Sequence, residues 1–362
     1  MKPYIPKKIP LDKLDWLKFI NLIGKANFEL ARYQGILESI LNPNILLSPL
    51  TTQEAVLSSK IEGTQATLEE VMKYEANVRM DEVKKGDIQE IINYRIALSY
   101  ATDRLKTRPL NLNLIKEIHN LLLNGVRGKD KAKGEFRRIQ NWVGPPGYPI
   151  ENARYIPPPP ERLMEFLDNF EKYIHSDEKD ILVQLAIVHA QFEIIHPFID
   201  GNGRVGRILI PLFLFEKKIL TNPMFYISAY LDENRNEYYN RLKNITDNNK
   251  WEDWIIFFLS TITEQARINY EKAKAILTLY ENMKSRVANL IKSQYSINAL
   301  DAIFRYPIFN TVDFIKRSKI PKASAMRIIK ALKEKDILNV LREGRGRSSS
   351  VLIFNELIRI VK

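Results

Sequence analysis

The chain has 362 residues, and its 55 Lys+Arg against 43 Asp+Glu leave a formal charge of +12 at pH 7. That length exceeds what one hydrophobic core usually serves, so two or three domains are expected, and 45% hydrophobic with 27% charged residues excludes disordered or fibrous material. The absence of cysteine excludes disulfides, thiol nucleophiles, Fe–S clusters and Cys-ligated zinc and suits a reducing, cytoplasmic setting.

No apolar run approaches the ~18 residues of a membrane span, and the first residues lack the apolar stretch of a secretion signal, so no membrane partner is expected. Apolar residues recur at helical spacing, which predicts a mainly α body. Residues 11–41 read as a helical region ending at Asn42-Pro43. Thr51-Thr52-Gln53-Glu54 fits a capping box opening a short helix that runs through Glu62 and stops at Gly63, and Thr67-Leu68-Glu69-Glu70 fits a second. Residues 88–105 and 112–123 are amphipathic helices. Between 135 and 160 the pattern breaks: extended runs at 137–143 and 153–156 flank Gly144-Pro145-Pro146-Gly147, a small β-hairpin flap whose exit is stiffened by the prolines at 157–160. Helices resume at 161–174, 180–195, 205–217, 233–242 and 251–293.

The segment from His196 to Arg207, HPFIDGNGRVGR, carries the chemistry. Pro197 disfavours helical geometry at His196, which should end the preceding helix. Val205, Ile208, Leu209, Leu212 and Phe213 form an apolar helical stripe, placing Arg204 and Arg207 together on another face of the first turn. Two cations there oppose the helix dipole, so they point to an anionic ligand. Gly201, Asn202 and Gly203 tolerate left-handed geometry and let backbone N–H groups converge on an anion. Asp200 beside that nest suits a divalent cation shared with phosphate oxygens, and His196 suits a general base. Together these describe phosphoryl or nucleotidyl transfer.

This segment resembles the Fic signature HxFx(D/E)GNGRxxR at every specified position. The resemblance implies a Fic helical core that transfers AMP from ATP to a Ser, Thr or Tyr hydroxyl of a target protein, or of itself, releasing pyrophosphate. It makes His196 the base, Asp200 the Mg²⁺ ligand, Gly201, Asn202 and Gly203 the phosphate cradle, and Arg204 and Arg207 the triphosphate holders, with Val205 and Gly206 in the same nucleotide-binding run. Ser58-Ser59-Lys60-Ile61-Glu62-Gly63 resembles the family's N-terminal inhibitory motif, so Glu62, with Ser58, is expected to compete for Arg207. Asn141, Trp142 and Val143 resemble the flap that docks a target's backbone; Trp142 reads equally as core. Tyr238 and Tyr239 resemble the helix lining the base and ribose, and core packing is the other reading. His189, seven residues before His196, is a packed core histidine or part of a metal pair; His119 and His175 read as structural or exposed.

Of the charge, 17 Lys+Arg and 6 Asp+Glu fall in residues 283–362. Short helices at 311–316 and 324–335, the latter exposing Lys322, Arg327, Lys330 and Lys333, precede apolar runs at 337–341 and 351–354 around Glu343-Gly344-Arg345-Gly346-Arg347. That order looks like a winged helix-turn-helix, for DNA binding, protein docking or homodimerisation. The expected domains are residues 1–105 with an inhibitory helix at about 52–63, a core at 106–282 with a flap at about 136–157, and a winged-helix domain at 283–362. The alternatives to AMP transfer are a DNA-binding regulator whose core modifies only itself or senses ATP, and removal of AMP at the same site.

Overall fold

A computed structural model describes residues 2–125, 132–144, 147–345 and 349–362. A single helical turn at Trp16–Lys18, capped by Asp15, leads into α1 (Ile20–Ser39). Helices α2 (Pro43–Leu46) and α3 (Ser48–Ile61) both carry a proline in the first turn, where a missing N–H costs nothing. Helix α3 therefore starts before the Thr51–Glu54 box. The Thr51 and Thr52 hydroxyls bond back to the Leu47 and Ser48 carbonyls, so they are interior residues and not caps. Thr67 and Glu70, by contrast, close the expected reciprocal box at the head of α4 (Leu68–Glu75).

Asp81 caps α5 (Glu82–Leu105), which begins earlier than its apolar pattern indicates because its first turn is polar, and Asn111 caps α6 (Leu112–Leu122). The expected hairpin before α7 (Leu163–Ile174) is reduced to one antiparallel pair, Val143 with Tyr155, and a helical turn at Ile150–Asn152. The prolines at 157–160 offer no N–H donors, which stops the ladder from extending. Pro145 and Pro146 of the expected turn lie outside the described residues.

Helix α8 (Ile181–Ile195), capped by Asp180, and α9 (Asn202–Glu216) form the centre of the molecule. Every residue of α8 except Ile181 and Glu193 is buried, as is every residue of α9 up to Leu214 except Gly203. This corrects the expectation of a face of α9 open around its arginines. Because α3, α5, α6 and α8 surround α9, Arg204 and Arg207 are 4% and 1% exposed.

Beyond α10 (Ser228–Glu233) and α11 (Arg235–Asn248), the long α12 (Trp251–Ile291) packs along α1 and α8 and runs without a break through residue 283. Then follow α13 (Ser296–Arg305), β1 (Ile308–Asn310), α14 (Thr311–Ser318), α15 (Lys322–Glu334), β2 (Asn339–Arg342), β3 (Val351–Ile353) and α16 (Asn355–Val361). The three strands form an antiparallel sheet in the order β1-β3-β2, with Ile308 opposite Ile353 and Val340 opposite Leu352. Strand β1 and helix α16 escape sequence reading because three and seven residues are too few to show a period. Lys322, Arg327, Lys330 and Lys333 are exposed on α15, while Gly346 and Arg347 lie outside the described residues. This C-terminal unit rests on the N-terminal helices: α13 on α2 and α3, α16 on α3, and β1 on α4. Among the described residues no helix is long and apolar enough to cross a membrane.

Candidate active site

Helix α8 ends at His196, whose φ of 50° is left-handed, a conformation that costs a non-glycine residue about 1 kcal/mol. Arg137 holds this end in place. Its Nε donates to the His196 carbonyl at 3.0 Å and its Nη2 to the carbonyls of Pro158 at 2.6 Å and Ile195 at 3.4 Å, while its backbone N–H donates to Pro197 at 2.9 Å. A cation on the carbonyls that a helix end leaves unpaired is doubly favourable. Burial pulls the Arg137 guanidinium down to about 10, so it remains charged at neutral pH. Sequence reading missed Arg137, because nothing local tells it apart from its exposed neighbour Arg138.

The His196 Nδ1 lies 3.3 Å from the Glu193 carbonyl. A carbonyl only accepts, so Nδ1 carries the proton and Nε2 keeps a basic lone pair. Burial lowers the imidazole to about 4, the bond to Glu193 opposing and the charge on Arg137 assisting. It is therefore neutral, and ready to accept a proton, throughout the neutral range.

The loop after His196 is built on Phe198, which is buried and stacked on His119 at 3.7 Å with 9° between the rings. Phe198 N–H donates to Asn202 Oδ1 at 2.9 Å, and its carbonyl accepts from Asn202 Nδ2 and Asn141 Nδ2, both at 2.8 Å. Gly201, at φ 77°, starts α9 in a geometry that L residues avoid. Asp200 accepts from its backbone N–H at 2.6 Å. His119 is structural, not exposed: Nδ1 accepts from Gly134 N–H at 2.9 Å, which leaves Nε2 to donate to the Asp200 carbonyl at 3.0 Å. Burial lowers His119 to about 4, which keeps this tautomer neutral.

Both arginines of α9 are partnered. Arg204 Nη1 meets Glu90 at 2.7 Å. Arg207 donates from Nε to Ser58 Oγ at 2.8 Å and from Nη2 to the Ser58 carbonyl at 2.8 Å and Glu62 Oε1 at 2.6 Å. Burial is the largest influence on Arg207 and works against its charge, but Glu62, Tyr238 and Tyr239 together hold the guanidinium above its ordinary range. A Cβ at Gly203 would overlap the Glu62 carboxylate. Glu62 thus lies over the first turn of α9, where converging N–H groups and the helix dipole favour an anion.

Other expected site residues lie elsewhere. Val205 is wholly buried in the apolar stripe, which leaves its side chain unable to reach a nucleotide. Gly206 gives its carbonyl to His189 Nδ1 at 3.2 Å. Tyr238 is 1% exposed and its hydroxyl bonds His189 Nε2 at 3.0 Å, so the aromatic packing reading holds for it; Tyr239 beside it is 40% exposed. His189 stacks among Trp254 and Phe258, burial lowers it to about 3, and it belongs to the core. Trp142 is 40% exposed on the flap and not core, with Nε1 donating to Tyr148 at 3.1 Å. Among the described residues no cluster of three His, Asp or Glu side chains is placed to hold a metal. The site can therefore seat an anion at the head of α9 and take a proton at His196 Nε2.

Residues 20–103 match the Fic/DOC family N-terminal region and residues 109–214 the Fic/DOC family, together more than half of the chain. A probable protein adenylyltransferase of Aquifex aeolicus is 25% identical over 335 residues, 88% of this chain and 87% of that protein. The protein adenylyltransferase Fic of Drosophila yakuba is 30% identical over 189 residues, and the chain spans only 34% of that protein. A Fic family protein crystallised from Desulfovibrio desulfuricans shares the fold over 98% of both chains, with a TM-score of 0.60 at 20% identity. Fic-1 of C. elegans shares it over 72% of this chain, with a TM-score of 0.51. With the motif, the helical core and both regions in place, the chain belongs to the Fic/DOC family.

Proposed function

We propose that this protein is an adenylyltransferase that moves AMP from ATP to a hydroxyl side chain of a target protein and is held in check by its own Glu62. The observation that carries this reading is the placing of a neutral, Nδ1-protonated His196 beside an anion seat that Glu62 occupies through Arg207. His196 Nε2 takes the proton of the target hydroxyl, whose oxygen bonds to the α-phosphorus as the bond to pyrophosphate breaks. The backbone of residues 201–203 cradles phosphate oxygens. Arg204 and Arg207 balance the remaining charge once their carboxylate partners withdraw. Tyr239, 40% exposed beside buried Tyr238, is the aromatic residue that would meet the nucleoside.

Asp200 fits Mg²⁺, since one carboxylate completed by phosphate oxygens is how that ion is commonly held. When bound, Mg²⁺ neutralises phosphate charge. Val143 gives its N–H to Tyr155 and its carbonyl to Arg154, both at 2.8 Å. Target docking by strand addition would therefore use Trp142 and Gly144, whose backbone groups face the opposite edge. Asn141 supports the loop through Phe198 and does not itself meet the target. The basic C-terminal unit is read as a winged helix for DNA binding, protein docking or homodimerisation.

The test is transfer of labelled AMP from ATP into protein. The Glu62→Gly chain is expected to label itself and proteins of a lysate, and Glu62→Gly/His196→Ala is expected to label nothing. Labelling that survives the loss of His196 would remove it from the mechanism. Salt-dependent DNA binding with no labelled protein would favour the regulator reading.

A further inference from the structure

Where the last turn of α8 meets the first turn of α9, two positions are less than fully buried, Glu193 and Gly203, and both neighbour the Arg207–Glu62 pair. Glu62 covers Gly203. Glu193 has no assigned role. One of its carboxyl oxygens is buried without a hydrogen-bond partner and lies so close to Gly206 that a Cβ there would overlap it. The charges acting on Glu193 are Arg207 from α9 and Glu62 from α3, and Tyr238 and Tyr239 from α11 lie within reach of its field. Arg207 thus faces three acidic side chains: Glu54 is held by Ser228, Glu62 has closed on the guanidinium, and Glu193 has not. A buried carboxyl oxygen with no donor is costly as an anion and cheaper when protonated. Burial, with Glu62 assisting and Arg207 opposing, pushes Glu193 up to about 7.

We propose that Glu193 is a second acidic competitor for Arg207 that engages when Glu62 withdraws, so that a nucleoside triphosphate binds only while Glu193 is protonated. The inference rests on the adenylyl-transfer reading. Withdrawal of Glu62 removes a like charge, so the Glu193 midpoint falls and its carboxylate forms. That carboxylate neutralises Arg207 and repels incoming phosphate. Bound triphosphate restores negative charge beside Glu193 and drives a proton onto it. Glu193 is a positioning residue in this scheme: it acts through Arg207 and touches no reacting atom.

The experiment compares Glu62→Gly with Glu62→Gly/Glu193→Gln, measuring ATP affinity in Mg²⁺ by calorimetry and AMP transfer from about pH 6 to about pH 8.5. The single variant is expected to lose roughly tenfold or more in affinity across that window, because only the protonated fraction is competent. The double variant is expected to hold a flat profile and to bind more tightly at the alkaline end, with the difference appearing in KM. His119, His189 and His196, lowered to about 4, 3 and 4, stay neutral throughout and do not contribute. Parallel profiles would overturn the proposal while leaving adenylyl transfer intact. Failure of both chains to bind ATP at any pH would sink both. If the Gln variant fails to fold, the single variant titrated in two buffers of unlike ionisation enthalpy decides: uptake of about one proton per ATP supports the gate, and none refutes it.

Discussion

His196 shows how much one side chain depends on its surroundings. An exposed imidazole loses its base function as pH falls through about 6.5. Burial lowers this one to about 4, so the protonated, inactive form appears only in stronger acid. At saturating ATP, the rate of AMP transfer by the Glu62→Gly chain should therefore hold steady from neutral pH down to about 5, with its acid limb well below 6. An acid limb centred near 6.5 would show that His196 is solvated in the working enzyme. His119 makes a second case. Its ring stacks on Phe198, accepts from Gly134 and donates to Asp200, so His119→Ala removes packing and two bonds at once. Denaturant titration should register a loss of about 2–4 kcal/mol. Transfer should weaken alongside it, because the Asp200 carbonyl loses its anchor.

Helix α3 is the element on which the proposed restraint depends. Ser58 and Glu62 lie one turn apart and both reach Arg207. The helix is fastened to its neighbours by Glu54, which accepts from Ser228 Oγ at 2.6 Å and from its N–H at 3.0 Å, and by Lys60, which meets Asp232 at 2.7 Å. Glu62→Gly removes a charged hydrogen bond to a buried guanidinium, a contact worth about 1.5–3 kcal/mol, so AMP transfer should rise on the order of tenfold or more. Lys60→Ala removes a solvent-exposed pair worth about 0–1 kcal/mol, so any rise should stay below about fivefold. Neither change should add to the other if both act through Arg207; a further rise in the double variant would show a separate route. The capping-box expectation misjudged where α3 begins, because Pro49 sets that start and an X-Pro first turn leaves no sequence period behind it.

Across the whole molecule, the C-terminal unit rests on α3 and on α4. Asn310 donates to the Ala76 carbonyl at 3.1 Å while its Oδ1 caps α14 through Asp313 N–H, and Lys362 pairs with Glu69. Asn310→Ala should cost about 1–3 kcal/mol by denaturation, and amide exchange should rise in α4 as well as in α14. Protection lost from α14 alone would mean that the two units are not joined there. The sequence alone determined the 196–207 motif, because a motif is residue types at fixed local spacing, and it determined the helical body, because apolar period is a local property. Only the tertiary structure decided that Arg204 and Arg207 are buried and paired, that Arg137 and His119 brace the loop, that Tyr238 belongs to the core, and that Glu193 stands beside Glu62. Each of these depends on contacts between segments far apart in the chain, where burial and charge are set by whichever helix arrives to cover them.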